Sequence, residues 1–333
     1  MLFTKPVIAD SVPASFWTPL ETHMLQALHT FKEHEKDIDK ALYVDDYLRV
    51  LISFVIRGTG SDKFWDASVE FCMAHLPVFN GPMCDNLSFV VLRTGNEGDK
   101  EKRWSAVLDH ITKKGFLKKG EMNDLSLLMA VASVPFDHEG IWQEFESLFL
   151  TNVNERSMKP PPDILAYYAY GFGKRGKGGE EFWKAIFDHA ENAEELPLSA
   201  AANVLYALTM SPEKEKRAKL AEKVEQRILA KRPDDAAAID SDGIILLLIS
   251  LSSLNATNKA VFEQLISLIE EALPTYHHSE IDRVVVTLSK MGMGTEPLWK
   301  KVEQYLTTHG DKFELGAVLN MCLAVAIEEI SNP

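Results

Sequence analysis

The residues that most invite a chemical reading stand between Gly171 and Trp183, in GFGKRGKGGEEFW. Gly171, Gly173 and Gly176 satisfy GxGxxG, and Gly176-Lys177 approaches the end of GxxxxGK[ST]. Both patterns cradle phosphate oxygens on backbone N–H groups at a helix N-terminus, and both need a preceding strand to aim the loop. The segment before this one, DILAYYAY, belongs instead to a series of apolar helices. Gly178 stands where a hydroxyl would hold Mg²⁺, and Glu180 and Glu181 set negative charge where a phosphate would lie. The reading left to the segment is a solvated turn whose Lys174, Arg175 and Lys177 form a basic loop for contact with a partner.

Other constellations are weaker. His23, His29 and His34 follow at intervals of six and five residues, off the i, i+4 register that sets two imidazoles on one helical face. His277-His278 has no neighbouring Cys, and His75, His110, His138 and His189 are scattered. Cys72, Cys84 and Cys322 form no CxxC pair; so sparse and odd a set reads as buried thiols in a reducing compartment. No GxSxG occurs, and the carboxylate pairs Asp45-Asp46, Asp234-Asp235 and Glu328-Glu329 suit helix caps and solvated surface. The sequence therefore predicts no catalytic, cofactor-binding or metal-ligating residue, and no enzyme.

Composition narrows the classes further. The chain has 333 residues, 46% apolar and 25% charged, which excludes collagen, an acidic disordered tail and a disulfide-stapled mini-domain. A formal charge of −14 disfavours general affinity for phosphate backbones, which is driven by basic surface. The basic stretches Lys113-Lys114, Lys118-Lys119 and KEKRAKLAEK from Lys214 are short or interleaved with Glu. The longest apolar run, Gly243 to Leu254, falls short of the roughly 20 residues a membrane-spanning helix needs. Residues 1–15 resemble neither a secretory signal nor an Arg-rich transit peptide and read as an N-terminal extension.

The elements that carry these residues are set by an internal repeat. Every tryptophan opens the same kind of segment: FWTPL at Trp17, FWDAS at Trp65, RWSAV at Trp104, IWQEF at Trp142, FWKAI at Trp183 and LWKKV at Trp299. LAEKV at Ala221 and VFEQL at Phe262 continue the frame without Trp. Successive anchors lie 48, 39, 38, 41, 38, 41 and 37 residues apart, the length of a two-helix repeat unit. After each anchor the apolar residues follow helical spacing, as in Trp183, Ile186 and Phe187. About twenty residues on comes a more apolar segment, such as DDYLRVLISFVI from Asp45, CDNLSFVVL from Cys84 or PPDILAYYAYGF from Pro161. Asp, Asn, Ser or Pro suits its start, and Gly58 and Gly60, Gly95, Gly171 and Gly173, or Gly292 and Gly294 are expected to end it. One hairpin cannot bury its apolar face, but stacked hairpins share a continuous core. The anchors Trp17, Trp65, Trp104, Trp142, Trp183, Phe262 and Trp299 are expected to pack between successive units.

The aromatic-led pairs, as in GGEEFWKAIFDHAENAEELPLSAAANVLYALT and GSDKFWDASVEFC, resemble the degenerate helical-hairpin repeats of organellar proteins. These include the heptatricopeptide and octotricopeptide types, and the spacing overlaps HEAT and armadillo repeats. The resemblance covers Trp17 to about Ile327 and implies an α-solenoid in a mitochondrial protein. Some relatives bind RNA and carry a C-terminal RAP domain, which is not expected here because the sequence stops within its last repeat. Others are peripheral subunits of mitochondrial ribosomes or energy-converting complexes. The expectation is an all-α, right-handed α-solenoid of about eight helical hairpins forming a single domain over 16–330. Its expected role is that of a non-catalytic structural or adaptor subunit of a large mitochondrial assembly, with protein subunits as partners. The alternative is an RNA-binding helical-repeat protein of organellar RNA processing or ribosome assembly.

Overall fold

The computed structural model describes residues 13–95, 97–155, 158–212, 218–230, 232, 239–254, 256, 258–310, 313 and 316–322. Among the described residues there is no strand: the chain is all-α. Asp234-Asp235, Glu328-Glu329 and the start of KEKRAKLAEK lie outside the described residues.

Contacts group the chain into two compact units, Met1–Thr151 and Asn152–Pro333. The first holds α1 (Ala14–His34), α2 (Lys40–Arg57), α3 (Asp62–Ala74), α4 (Gly81–Val91), α5 (Glu97–Lys114), α6 (Asp124–Ser133) and α7 (Glu139–Leu150). Here α1 packs on α3 and α5 on α7, while α2 packs on α4. The second holds α8 (Pro162–Arg175), α9 (Glu180–Asn192), α10 (Leu198–Met210), α11 (Ala218–Leu229), α12 (Ser241–Ser253), α13 (Lys259–Ala272), α14 (His278–Met291) and α15 (Glu296–His309), followed by helical residues 316–322. In it α8, α10, α12 and α14 form one row and α9, α11, α13 and α15 the other. Each helix touches the next-but-one, as stacked hairpins require.

Sequence explains the two rows. The aromatic-led helices are amphipathic: α11 buries Leu220, Val224 and Ile228 on one stripe and leaves its charges outside. Helices of the apolar row are covered on nearly every side. In α10 the small residues Ala200, Ala201, Ala202 and Ala207 are buried and let neighbours come close. Gly173 of α8 sits so near that a Cβ there would lie 3.0 Å from the Ala207 Cα.

Helix boundaries depart from expectation in instructive places. Helix α2 begins at Lys40, not Asp45, because Asp39 accepts from the Ala41 and Leu42 amides at 3.0 and 3.2 Å. Asp45 instead lies within the helix and pairs with Arg49 at 2.8 Å. Asn80 starts α4 ahead of Cys84 by accepting from the Met83 amide at 3.0 Å. Helix α8 runs straight through Gly171 and Gly173 and ends only at Gly176. The expectation that Gly171 and Gly173 terminate it is corrected: tight packing on α10, not chain reversal, calls for Gly173.

Candidate functional site

The glycine-rich segment singled out for phosphate chemistry resolves into a packing device. Gly176 is left-handed at φ 61° and its amide bonds to the Gly173 carbonyl at 3.2 Å, while the Lys177 amide reaches the Phe172 carbonyl at 3.0 Å. This is a Schellman closure, and it occupies the Gly176 and Lys177 N–H groups. Gly178, at φ 95°, then brings the chain against an aromatic cluster: a Cβ there would fall 2.7 Å from Phe182, 3.1 Å from the Trp183 Nε1 and 3.2 Å from Phe172. Phe172 and Phe182 stack at 4.1 Å, and Trp183 stacks on Phe187 at 5.5 Å.

The same device occurs three times. Phe54, Gly58, Gly60, Phe64 and Trp65 repeat the spacing of Phe172, Gly176, Gly178, Phe182 and Trp183, as do Leu288, Gly292, Gly294, Leu298 and Trp299. In each, the amide after the first glycine bonds back to the Phe or Leu carbonyl, at 3.2 Å from Thr59, 3.0 Å from Lys177 and 3.0 Å from Met293. In each, a Cβ on the second glycine would run into the Trp indole. A pattern that serves three separate hairpin junctions needs no ligand at any one of them. Of the basic residues expected on this loop, Lys174 is exposed and lies over the Tyr170 ring at 5.6 Å, whereas Arg175 and Lys177 are half-buried.

The anchor column is buried unevenly. Trp17, Trp104, Trp142 and Trp183 are buried, while Trp65, Phe262 and Trp299 are only partly so. The residue before the anchor is buried more often: Phe64, Ile141, Phe182, Leu220, Val261 and Leu298 are buried, while Phe16 is exposed and Arg103 partly so. That column was legible in FW, IW and LW, but the rarity of Trp draws attention one residue too far.

Two residues after the anchor lies a second position that sequence reading missed. Lys223 of α11 donates to the Ala190, Glu191 and Ala193 carbonyls at 3.1, 2.8 and 2.5 Å, capping the C-terminal end of α9. Lys301 of α15 occupies the same position and reaches both the carbonyl and the carboxylate of Glu270 at 3.3 Å. The shared LxxKV of Leu220–Val224 and Leu298–Val302 was the available signal.

A surface with binding character lies on the α8, α10, α12, α14 row. Each of these helices leaves one stripe uncovered. On α8 it is Asp163, Tyr167, Tyr170 and Lys174; on α10 it is Ser199, Asn203, Tyr206 and Met210. On α12 Asp242, Ile245 and Ile249 continue it, and on α14 Asp282, Arg283, Val286 and Lys290. The stripes join laterally. Tyr170 and Tyr206 approach to 5.6 Å between ring centroids, and Asp242 pairs with Arg283 at 2.6 Å. Burial, then the nearby Asp242 carboxylate, raises the Tyr170 pKa, so the phenol stays neutral. Met210 and Ile249 are 53% and 42% exposed, unusual for their types on helices otherwise so well covered.

Of the cysteines expected to be buried, Cys72 and Cys84 are, whereas Cys322 is exposed. Burial pushes the Cys72 and Cys84 thiols up to about 12, far from a thiolate nucleophile. Asp85 is pushed up to about 6 by burial, partly offset by the Asn123 amide 3.5 Å away. Glu144 is buried on α7, and its raised pKa reflects burial opposed by Lys118 at 3.7 Å. Among the described residues no group of three or more His, Cys, Asp or Glu side chains is placed to hold a metal ion. Among them, too, no helix is long and apolar enough to cross a membrane. Comparison with known protein families and with curated proteins finds no match for the chain.

Proposed function

We propose that the chain is a non-catalytic structural or adaptor subunit of a large mitochondrial protein assembly, either an energy-converting complex or a mitochondrial ribosome. Its hairpins, about eight in number, form a right-handed α-solenoid that holds protein partners. The observation that carries the reading is the uncovered stripe of the α8, α10, α12, α14 row, where tyrosines and aliphatic side chains stay partly exposed on helices that are otherwise mostly buried. Extended faces of this kind serve repeat proteins as binding surfaces. The sequence resemblance to organellar hairpin repeats supplies the compartment.

Fractionating a native lysate on a density gradient, with the chain affinity-tagged and with or without ribonuclease, tests the proposal. Co-migration with a large particle that survives ribonuclease supports it; migration as a free chain in both gradients refutes it. A second reading, RNA binding, draws on the Tyr170–Tyr206 pair beside Lys174, which could stack bases. The acidic groups sharing that surface, Asp163, Asp242 and Asp282, oppose it. Collapse of the particle by ribonuclease would point to RNA binding or to a ribosome rather than to an energy-converting complex.

A further inference from the structure

Side chains that begin three of the aromatic-led helices also tie each helix to the one packed before it. Ser61, His138 and Thr295 stand four residues ahead of Trp65, Trp142 and Trp299 and cap α3, α7 and α15. Each accepts from the amide three residues on: Phe64 at 3.2 Å, Ile141 at 3.2 Å and Leu298 at 3.3 Å. Each also meets a carboxylate of the helix before it, on α1, α5 or α13. Ser61 donates its hydroxyl to Glu21, and Thr295 donates to Glu270 at 3.1 Å. The His138 Nε2 lies 2.9 Å from the Asp109 Oδ1. One side chain, acceptor on one side and donor on the other, thus joins cap and stack.

The junction at α7 differs in its chemistry. A hydroxyl keeps both bonds from pH 5 to 8, whereas an imidazole keeps them in one protonation state only. The Ile141 N–H can only donate, so the His138 Nδ1 must present a lone pair. The ring proton is then on Nε2, aimed at Asp109. A second proton would have to enter at Nδ1, where it would face the Ile141 N–H and the positive end of α7. Other histidines are set the opposite way. His75 and His309 place Nδ1 on the Phe71 and Tyr305 carbonyls, and His110 places Nε2 on the Phe79 carbonyl, bonds that a charged ring keeps.

Charges around the His138 ring pull in both directions. Asp109 faces it from α5, with Lys113 one turn further along that helix, and Asp137 and Glu139 flank it in the chain. The carboxylates favour the charged ring, and the cap favours the neutral one. Protonation therefore trades the bond from Ile141 for a stronger pair with Asp109, and its signature is local. The Ile141 amide retains the His138 carbonyl at 3.2 Å, so the first turn of α7 loosens without unwinding. That turn carries the buried Ile141 and Trp142.

We propose that His138 is a pH-sensitive latch between α5 and α7. Neutral, it caps α7 and holds Asp109; charged, it releases the cap and keeps Asp109. The latch belongs to the first unit and is independent of what the chain binds.

The full chain, labelled with ¹⁵N-histidine, tests both halves of this statement. At pH 8 the ring signals lost in His138→Ser should show a protonated Nε2 and a bare Nδ1. Hydrogen exchange, corrected for the intrinsic effect of pH, should show the first turn of α7 losing protection about threefold or more between pH 8 and pH 6, the scale of a lost cap. In His138→Ser, whose cap copies Ser61, that loss should vanish; His138→Asn, a second cap that does not titrate, repeats the comparison. The first turns of α3 and α15, with their hydroxyl caps, should hold steady throughout. Asp109→Asn keeps an acceptor for the Nε2–H but removes the charge, so the loss should need more acid. A protonated Nδ1 at pH 8 overturns the proposal, as does equal loss of protection in wild type and both cap variants. A loss of the same size at α3 and α15 overturns it too.

Discussion

Replacing Gly178 with alanine separates a packing role for the glycine-rich turn from a ligand-binding one. At φ 95° an L-residue is strained by about 1–3 kcal/mol. The new methyl would also press on Phe182 at 2.7 Å and Phe172 at 3.2 Å, rings held by their own stack, and such overpacking costs about 1–3 kcal/mol more. Gly178→Ala should therefore destabilise the second unit by about 2–6 kcal/mol. Gly176→Ala is the internal control. Its φ of 61° carries only the left-handed cost of about 1–2 kcal/mol, because a Cβ there has nothing within 4 Å. Urea unfolding followed by circular dichroism gives the two values, and hydrogen exchange on α8 and α9 places the loss. Gly60→Ala and Gly294→Ala should follow Gly178→Ala, since their methyls also meet the Trp65 and Trp299 indoles. Equal costs at 176 and 178 would refute the account of the turn. So would a nucleotide titration that gives binding to the wild type and none to Lys177→Ala.

Three further outcomes follow from the geometry. Folding raises the Asp85 pKa from 3.8 to about 6, so between those values the folded state binds more protons and stability falls as pH rises. Asp85→Asn should accordingly stabilise the chain at pH 7.5 by on the order of 1–2 kcal/mol, after allowing for partial solvent access, with the gap closing toward pH 4; destabilisation at both pH values in denaturant titrations would contradict this. Lys223→Met should cost about 1–2 kcal/mol and speed amide exchange in α11 and the last turn of α9, because three carbonyls lose their cationic donor. Trp104→Ala should cost about 3–5 kcal/mol, and Trp65→Ala clearly less, because only the first is buried outright; calorimetric melts would rank them.

Much of the fold was legible because two-helix repeats write themselves into sequence twice, once as an anchor and once as an apolar run. Local capping was legible wherever the cap stood next to the run, as at Asn123, which accepts from the Ser126 amide at 2.9 Å. It was missed at Asp39, where a turn of exposed residues separates cap from core, and at Asn80, where Gly81-Pro82 disguises the first turn of the helix. The phosphate-like spacing of Gly171–Gly179, already set aside for want of a strand and a hydroxyl, has a separate physical origin. A phosphate loop and a Schellman closure both select glycine, one for backbone approach to an anion and the other for positive φ and approach to an indole. Spacing within one loop cannot distinguish them. Comparing Phe172–Trp183 with Phe54–Trp65 and Leu288–Trp299 does, because an anion site would not recur at three hairpin junctions.

That recurrence also bears on how the repeats were made to differ. The three junctions lie 118 and 116 residues apart, which is three repeat lengths, and the intervening hairpins close by other means. Helix α4 passes into α5 through a single left-handed Gly95, and α6 passes into α7 through residues 134–138, where His138 caps α7 by accepting from the Ile141 amide at 3.2 Å. Where Gly-x-Gly is present, the indole covers the turn and the two helices are locked at their shared end. Where it is absent, slightly longer connections and side-chain caps such as His138 carry the junction instead. The uncovered face of the second unit lies on helices whose packing includes two of the three locked turns, those closing α8 and α14. Both flanking helices of that face are therefore fixed at their C-terminal ends, which holds Lys174 and Lys290 in place.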